Sequence, residues 1–304
     1  MYKNKKNLYI YFATFVGFII IIFLLKLFFF SFRADVRSVS ISNAEIAYYI
    51  KGEGYPLIML PGFGMTMQHW DPLLLDKLSK KNKLIMFDYK GVGSSSGNAQ
   101  NTSQQMTDDV IKLMDALEIK KANVLGWSIG SFVGQLLAEK YPERVNRLIL
   151  ISTAPGNKQI RENNENVGED VQQKLNDKWE EAFVPQLFYS KTAKNMYLFR
   201  MRVAQVSGEI SRGPQEDINA KIAHEQAFDN EKEENLRTSN LPMIQIPTLL
   251  ISGENDKLIL PDNAKYVASL IPKSELFLIP EAGHAVLFEK ADNVTKLIDK
   301  FLQD

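Results

Sequence analysis

Residues 123–134 read NVLGWSIGSFVG, and at their centre Gly126-Trp127-Ser128-Ile129-Gly130 spells G-x-S-x-G around one serine. The pattern fixes only three positions, so its meaning depends on what surrounds it. Ahead of it, Ala122-Asn123-Val124-Leu125-Gly126 reads as a short buried strand. Behind it, Ile129, Phe132, Val133, Leu136 and Leu137 recur at helical spacing until Tyr141-Pro142 ends the run. Ser128 therefore falls on a sharp strand-to-helix turn, where flanking glycines remove Cβ atoms that would otherwise collide. Its hydroxyl stands above the sheet, and the helix N-terminus favours negative charge developing beside it.

Working outward, short apolar runs recur at 57–60, 84–87, 123–125, 148–151, 248–251 and 276–279, each bounded by Gly, Pro, Asp or Ser. Runs that are apolar on both faces and separated by helical segments are what a parallel sheet covered on both sides requires. Thr102 to Gln105 fits a capping box ahead of Val110, Leu113, Met114 and Leu117, and Val294, Leu297, Ile298 and Phe301 mark a last amphipathic helix. Before the first run, RSVSISNAEIAYYIKGEG (37–54) alternates like a β-hairpin turning at Ser42-Asn43. The alternation of strand and helix predicts a doubly wound α/β core over 38–155 and 241–304. Residues 156–240 carry charged helical stretches without a buried strand, which is too long for a plain loop and predicts a helical cap insertion over the site.

The N-terminus is of a different kind. A basic tail, residues 1–7, precedes 8–32, LYIYFATFVGFIIIIFLLKLFFFSF, in which 18 residues from Leu8 to Leu25 carry no charge. That length suffices to span a bilayer, with Lys26 snorkelling to the headgroups. A cleaved signal peptide has a shorter apolar core and a small-x-small site, which FFFSFRADV lacks. The segment is expected to be an uncleaved single-pass transmembrane helix. The short tail favours its own retention inside and a catalytic domain on the extracytoplasmic side of the membrane, although Lys3, Lys5 and Lys6 face Lys26, Arg33 and Arg37 across it.

Composition narrows the chemistry further. The 304 residues hold 36 basic and 36 acidic side chains, which gives no global field to recruit nucleic acid. There is no cysteine, so thiol nucleophiles, thiolate metal sites and disulfides are excluded. No His, Asp or Glu cluster has metal-ligand spacing, and GVGSSSG (91–97) lacks the lysine and glycine spacing of a phosphate loop. The reading therefore includes no metal and no cofactor.

A serine hydroxyl needs an adjacent base, and the chain offers three histidines. His284, in PEAGHAVLF after the last apolar run, falls at the carboxyl edge of the sheet and is the candidate base. His69, expected to begin a helix, and His224, in the insertion, read as surface or pocket-lining residues. Asp256, in GENDKLILPD, is the candidate to orient the imidazole, with Glu254 and Asp262 as close rivals. The order Ser128, Asp256, His284 is that of a nucleophile-elbow hydrolase. Backbone amides of Ile129 and Phe63 would supply the oxyanion hole, with Phe63 in the PGFG turn (61–64). Gly62 and Trp127 are candidates to contact substrate.

Together LPGFG, FDYKGVGSSSG, LGWSIGSFVGQLLAEKYPERVNRLILIS, LISGENDKLI and PEAGH resemble the α/β-hydrolase superfamily over about 38–302. The resemblance implies a mostly parallel eight-stranded sheet, a helical cap and a serine hydrolase triad. Pro61 stands where many members carry histidine, and Lys90 where arginine is common. The function expected is a membrane-anchored serine hydrolase acting on a small-molecule carboxylic ester, with hydrophobic or lipid-derived esters suggested by the anchor and the aromatics. The alternatives are a cofactor-free perhydrolase or haloperoxidase on the same triad, and a non-catalytic binding protein that keeps the fold.

Overall fold

A computed structural model describes residues 35–100, 102–155, 184–207 and 240–303. The expected membrane helix, His224 and most of the expected cap lie outside these residues. Among the described residues no helix is long and apolar enough to cross a membrane.

Eight strands form one sheet: β1 (Arg37–Ile41), β2 (Ala44–Lys51), β3 (Tyr55–Leu60), β4 (Asn82–Phe87), β5 (Ala122–Trp127), β6 (Val145–Ile151), β7 (Thr248–Gly253) and β8 (Ser274–Ile279). Their order across the sheet is β1-β2-β4-β3-β5-β6-β7-β8. The β1–β2 hairpin turns at Ser42-Asn43, and β2 lies antiparallel to β4; every other pairing is parallel. Connecting elements are α1 (Pro72–Leu78), α2 (Ser103–Ala116), α3 (Ile129–Lys140), α4 (Val184–Leu187), α5 (Lys191–Ser207), α6 (Pro261–Leu270), α7 (Val286–Glu289) and α8 (Ala291–Gln303).

Each central strand is buried along its length because side chains alternate between two covered faces. Leu57, Met59, Leu84, Met86, Leu125, Ile149, Leu249 and Ile251 point to the face packed by α1, α5, α7 and α8. Ile58, Ile85, Val124, Leu148, Leu150 and Leu250 point to the other, under α2, α3 and α6. Thr102 caps α2 by accepting from the Gln105 amide at 3.1 Å. The architecture is that of an α/β-hydrolase, and the parallel strands all end at one edge, where loops converge on Ser128.

The described part of the insertion docks through α5. Arg200 donates from Nε to both carboxylate oxygens of Asp71, the N-cap of α1, at 2.9 Å, and a third bond joins Nη2 to Asp71 Oδ2. The same guanidinium donates to the Phe288 carbonyl at 3.3 Å. One turn earlier, Tyr197 stacks on Phe288 with ring centroids 5.0 Å apart, and its hydroxyl donates to the His69 carbonyl at 3.0 Å. Burial pushes this phenol above the usual tyrosine range, which keeps it a donor.

Candidate active site

The turn from β5 into α3 presents Ser128 in a conformation that L-residues rarely adopt, φ 55° and ψ −122°. Neighbouring backbone holds it there. The Ser128 amide donates to the Ile151 carbonyl at 3.0 Å, and the Ser131 amide donates to the Ser128 carbonyl at 2.8 Å. Ser131 Oγ donates to that carbonyl at 2.6 Å. A Cβ on Gly126 would lie 2.3 Å from the Gly130 carbonyl oxygen, and one on Gly130 would lie 2.2 Å from that of Leu60. Neither contact is physically accessible, so only glycine lets the chain turn this tightly against the end of β3.

His284 reaches Ser128 from the loop after β8. Its Nε2 lies 2.9 Å from Ser128 Oγ, and its Nδ1 lies 2.8 Å from Asp256 Oδ2. The remaining carboxylate oxygen, Oδ1, accepts from the amides of Leu258 and Ile259, both at 2.9 Å. Those two bonds fix the carboxylate plane, and the carboxylate assigns the proton to Nδ1, leaving Nε2 to accept from the serine. Asp256 and His284 are buried while Ser128 stays partly exposed. The rivals Glu254 and Asp262 are exposed, and Asp262 pairs with Lys265 on the surface.

The His284 backbone is anchored from the sheet side by two residues. Trp127 Nε1 and Ser152 Oγ both donate to its carbonyl, at 3.0 and 2.9 Å. Trp127, expected at the substrate, is instead buried among Trp70, Phe288 and the His284 ring, whose centroid is 5.7 Å away. Its contacts are with protein, and they make it a support for His284. Gly62 is likewise buried, and a Cβ there would sit 3.0 Å from the Trp127 ring, so it serves to let the loop pack on the indole.

The PGFG turn follows β3, with the Gly62 carbonyl accepting from the Met65 amide at 3.2 Å and Gly64 at φ 66°. Gly130 abuts Leu60 and Pro61, so this turn and the start of α3 are in contact. Ile129 is the first residue of α3, so its amide has no carbonyl within the helix to bond. Phe63, partly buried, packs against a buried apolar cluster of Ile129, Phe132, Ala154 and Ile259, of which Ile129 directly follows Ser128. His69 departs from its expected place: it ends a 3-10 turn (Met67–His69) and is buried, with Nδ1 accepting from the Thr66 amide at 2.9 Å. The polar cap at Thr66 and the tyrosine above draw it inward.

Sequence reasoning did not reach Ser152 or the Asp71–Arg200 pair. Ser152 ends the apolar run LILIS, where a serine reads as an ordinary strand terminator; only its φ of 50° and its bond to His284 distinguish it.

A family model described as the alpha/beta hydrolase fold matches residues 55–291. A proline iminopeptidase from Pestalotiopsis fici is 31% identical over 283 residues, covering 88% of this chain and 99% of its own. A 2-hydroxymuconate semialdehyde hydrolase from a Pseudomonas species is 27% identical over 277 residues, covering 88% and 94%. Among solved structures, an alpha/beta hydrolase fold protein from Chitinophaga pinensis superposes with a TM-score of 0.77 at 26% identity, covering 88% of this chain and 97% of that one. With the sheet order, the strained serine and the family match in agreement, the chain belongs to the alpha/beta hydrolase fold family.

Proposed function

We propose that this protein is a serine hydrolase that cleaves carboxylic esters through an acyl-enzyme on Ser128. The observation that carries the reading is the continuous hydrogen-bonded series from Ser128 Oγ through His284 to Asp256, at 2.9 and 2.8 Å. His284 Nε2 takes the hydroxyl proton as Oγ bonds to the ester carbonyl carbon. The amides of Ile129 and Phe63 stabilise the oxyanion, and the proton passes to the departing alkoxide as the ester C–O bond breaks. Water, deprotonated by the same imidazole, then releases the acid and restores Ser128.

Phe63, partly exposed over the buried cluster of Ile129, Phe132, Ala154 and Ile259, supports hydrophobic acyl groups as substrates. The uncharged run from Leu8 to Leu25 supports attachment to a membrane as a single-pass protein with its catalytic domain extracytoplasmic, a setting in which lipid-derived esters are at hand.

The test is labelling by a fluorophosphonate probe, together with hydrolysis of p-nitrophenyl esters and of a prolyl p-nitroanilide. Labelling of the wild type and not of Ser128→Ala, with esters cleaved faster than the anilide, is the expected result. Equal labelling of both proteins removes Ser128 as nucleophile, and preferred cleavage of the anilide replaces the ester reading with a peptidase.

A further inference from the structure

His284 must satisfy two short hydrogen bonds at once, so its backbone has to be held from more than one side. Trp127 and Ser152 hold its carbonyl from the sheet. The residue after it is held by Leu187 of the segment ahead of α5, and the residue before it by Glu289 of α7. The Ala285 amide donates to the Leu187 carbonyl at 2.7 Å. The Gly283 amide donates to Glu289 Oε1 at 3.1 Å, and the same oxygen accepts from the Tyr189 amide at 2.7 Å.

One carboxylate oxygen thus joins the loop of His284 to the segment 187–189, at the end of α4 and just ahead of α5. The approach is close enough that a Cβ on Gly283 would lie 2.8 Å from the Tyr189 nitrogen and 2.9 Å from the Leu187 oxygen. Glycine at 283 is what allows the two backbones to meet. Burial lifts the Glu289 carboxyl above the usual range, while the two amides and Lys290 favour its charge and Asp256 opposes it. A carboxylate kept at a site that penalises its charge is there for what it accepts.

Resting on the reading of Ser128 and His284 above, we propose that Glu289 is a positioning residue whose carboxylate latches the insertion segment 187–189 to the His284 loop. The imidazole then keeps its line to Ser128 only while that segment is seated. Seating of segment 187–189 and competence of the base become one event, because the same oxygen serves both amides.

The experiment compares the full-length wild type, Glu289→Ala and Glu289→Gln by fluorophosphonate labelling rate and by amide hydrogen exchange. Glutamine keeps an acceptor oxygen without charge. Alanine is expected to slow labelling about tenfold or more and to expose the Gly283 and Tyr189 amides together, with glutamine restoring both. Should alanine not fold, Glu289→Asp, which withdraws the oxygen by one methylene, is expected to show the same paired loss. Labelling at the wild-type rate in folded Glu289→Ala, or exposure of one amide without the other, overturns the latch. A wild type that does not label overturns the nucleophile reading and the positioning role with it, while paired exposure would still establish the contact.

Discussion

Ser128 occupies backbone space that costs about 1–3 kcal/mol for a residue with a side chain, and it does so at the one position where its hydroxyl meets His284. The strain is sustained by contacts that admit no substitution. Gly130→Ala would drive a Cβ into the Leu60 carbonyl, so the account predicts loss of both the turn and the activity, seen as a lowered melting temperature and absent probe labelling. Asp256→Asn leaves the shape intact yet presents an amide where Nδ1–H needs an acceptor, and kcat should fall by about 10⁴-fold with little change in melting temperature. Ser152→Ala removes one of two donors to the His284 carbonyl and should cost about 1 kcal/mol in denaturant unfolding. At this scale Ser128 and His284 were legible because turn chemistry and chain order point to them. Asp256 was the candidate acid from chain order, with Glu254 and Asp262 as rivals near the same turn; in the fold only Asp256 turns inward.

Between elements, the insertion is joined to the core by charges placed where water is scarce. Asp71 is fully buried, and burial outweighs Arg200 in setting its carboxyl above the usual range. Arg200→Ala leaves that carboxylate without its cation and should destabilise the protein by about 3 kcal/mol at pH 8. The stranded carboxyl gains a still higher folded pKa than its unfolded one, so stability falls as pH rises; the deficit should be smaller at pH 5 than at pH 8 in thermal melts. Glu289 follows the same sign. Its folded carboxyl titrates above the unfolded value, so its contribution is greatest at low pH and is lost as pH rises through the folded pKa. Lys290 and Asp256 face it with opposite effects. Glu289→Gln should therefore gain stability relative to wild type from acid to neutral pH, even where the latch is retained. None of these ties was legible beforehand. Asp71, Arg200 and Glu289 each read as an ordinary surface charge, and only tertiary packing buries Asp71 against Arg200 and brings Glu289 to the Gly283 and Tyr189 amides.

Across the whole molecule, the parallel sheet followed from short runs that are apolar on both faces, and the structure covers both faces accordingly. The hairpin at Ser42-Asn43 was legible from alternation and a turn pair. The insertion was expected only from an interruption of the strand rhythm, because amphipathic helices carry no statement of where they dock. The proposed anchor at 8–32 rests on length and charge alone. Full-length protein should sediment with vesicles and resist extraction by high salt, whereas a chain lacking residues 1–34 should stay in the supernatant; equal behaviour would remove the anchor.

The central claim is covalent catalysis on Ser128, and it is tested most directly by rapid-quench mass spectrometry during turnover of a p-nitrophenyl ester. The account predicts that the peptide containing Ser128 gains the mass of the acyl group, and that Ser128→Ala neither gains it nor turns over. Turnover without any acylated peptide, or an acyl group found on another residue, would contradict it.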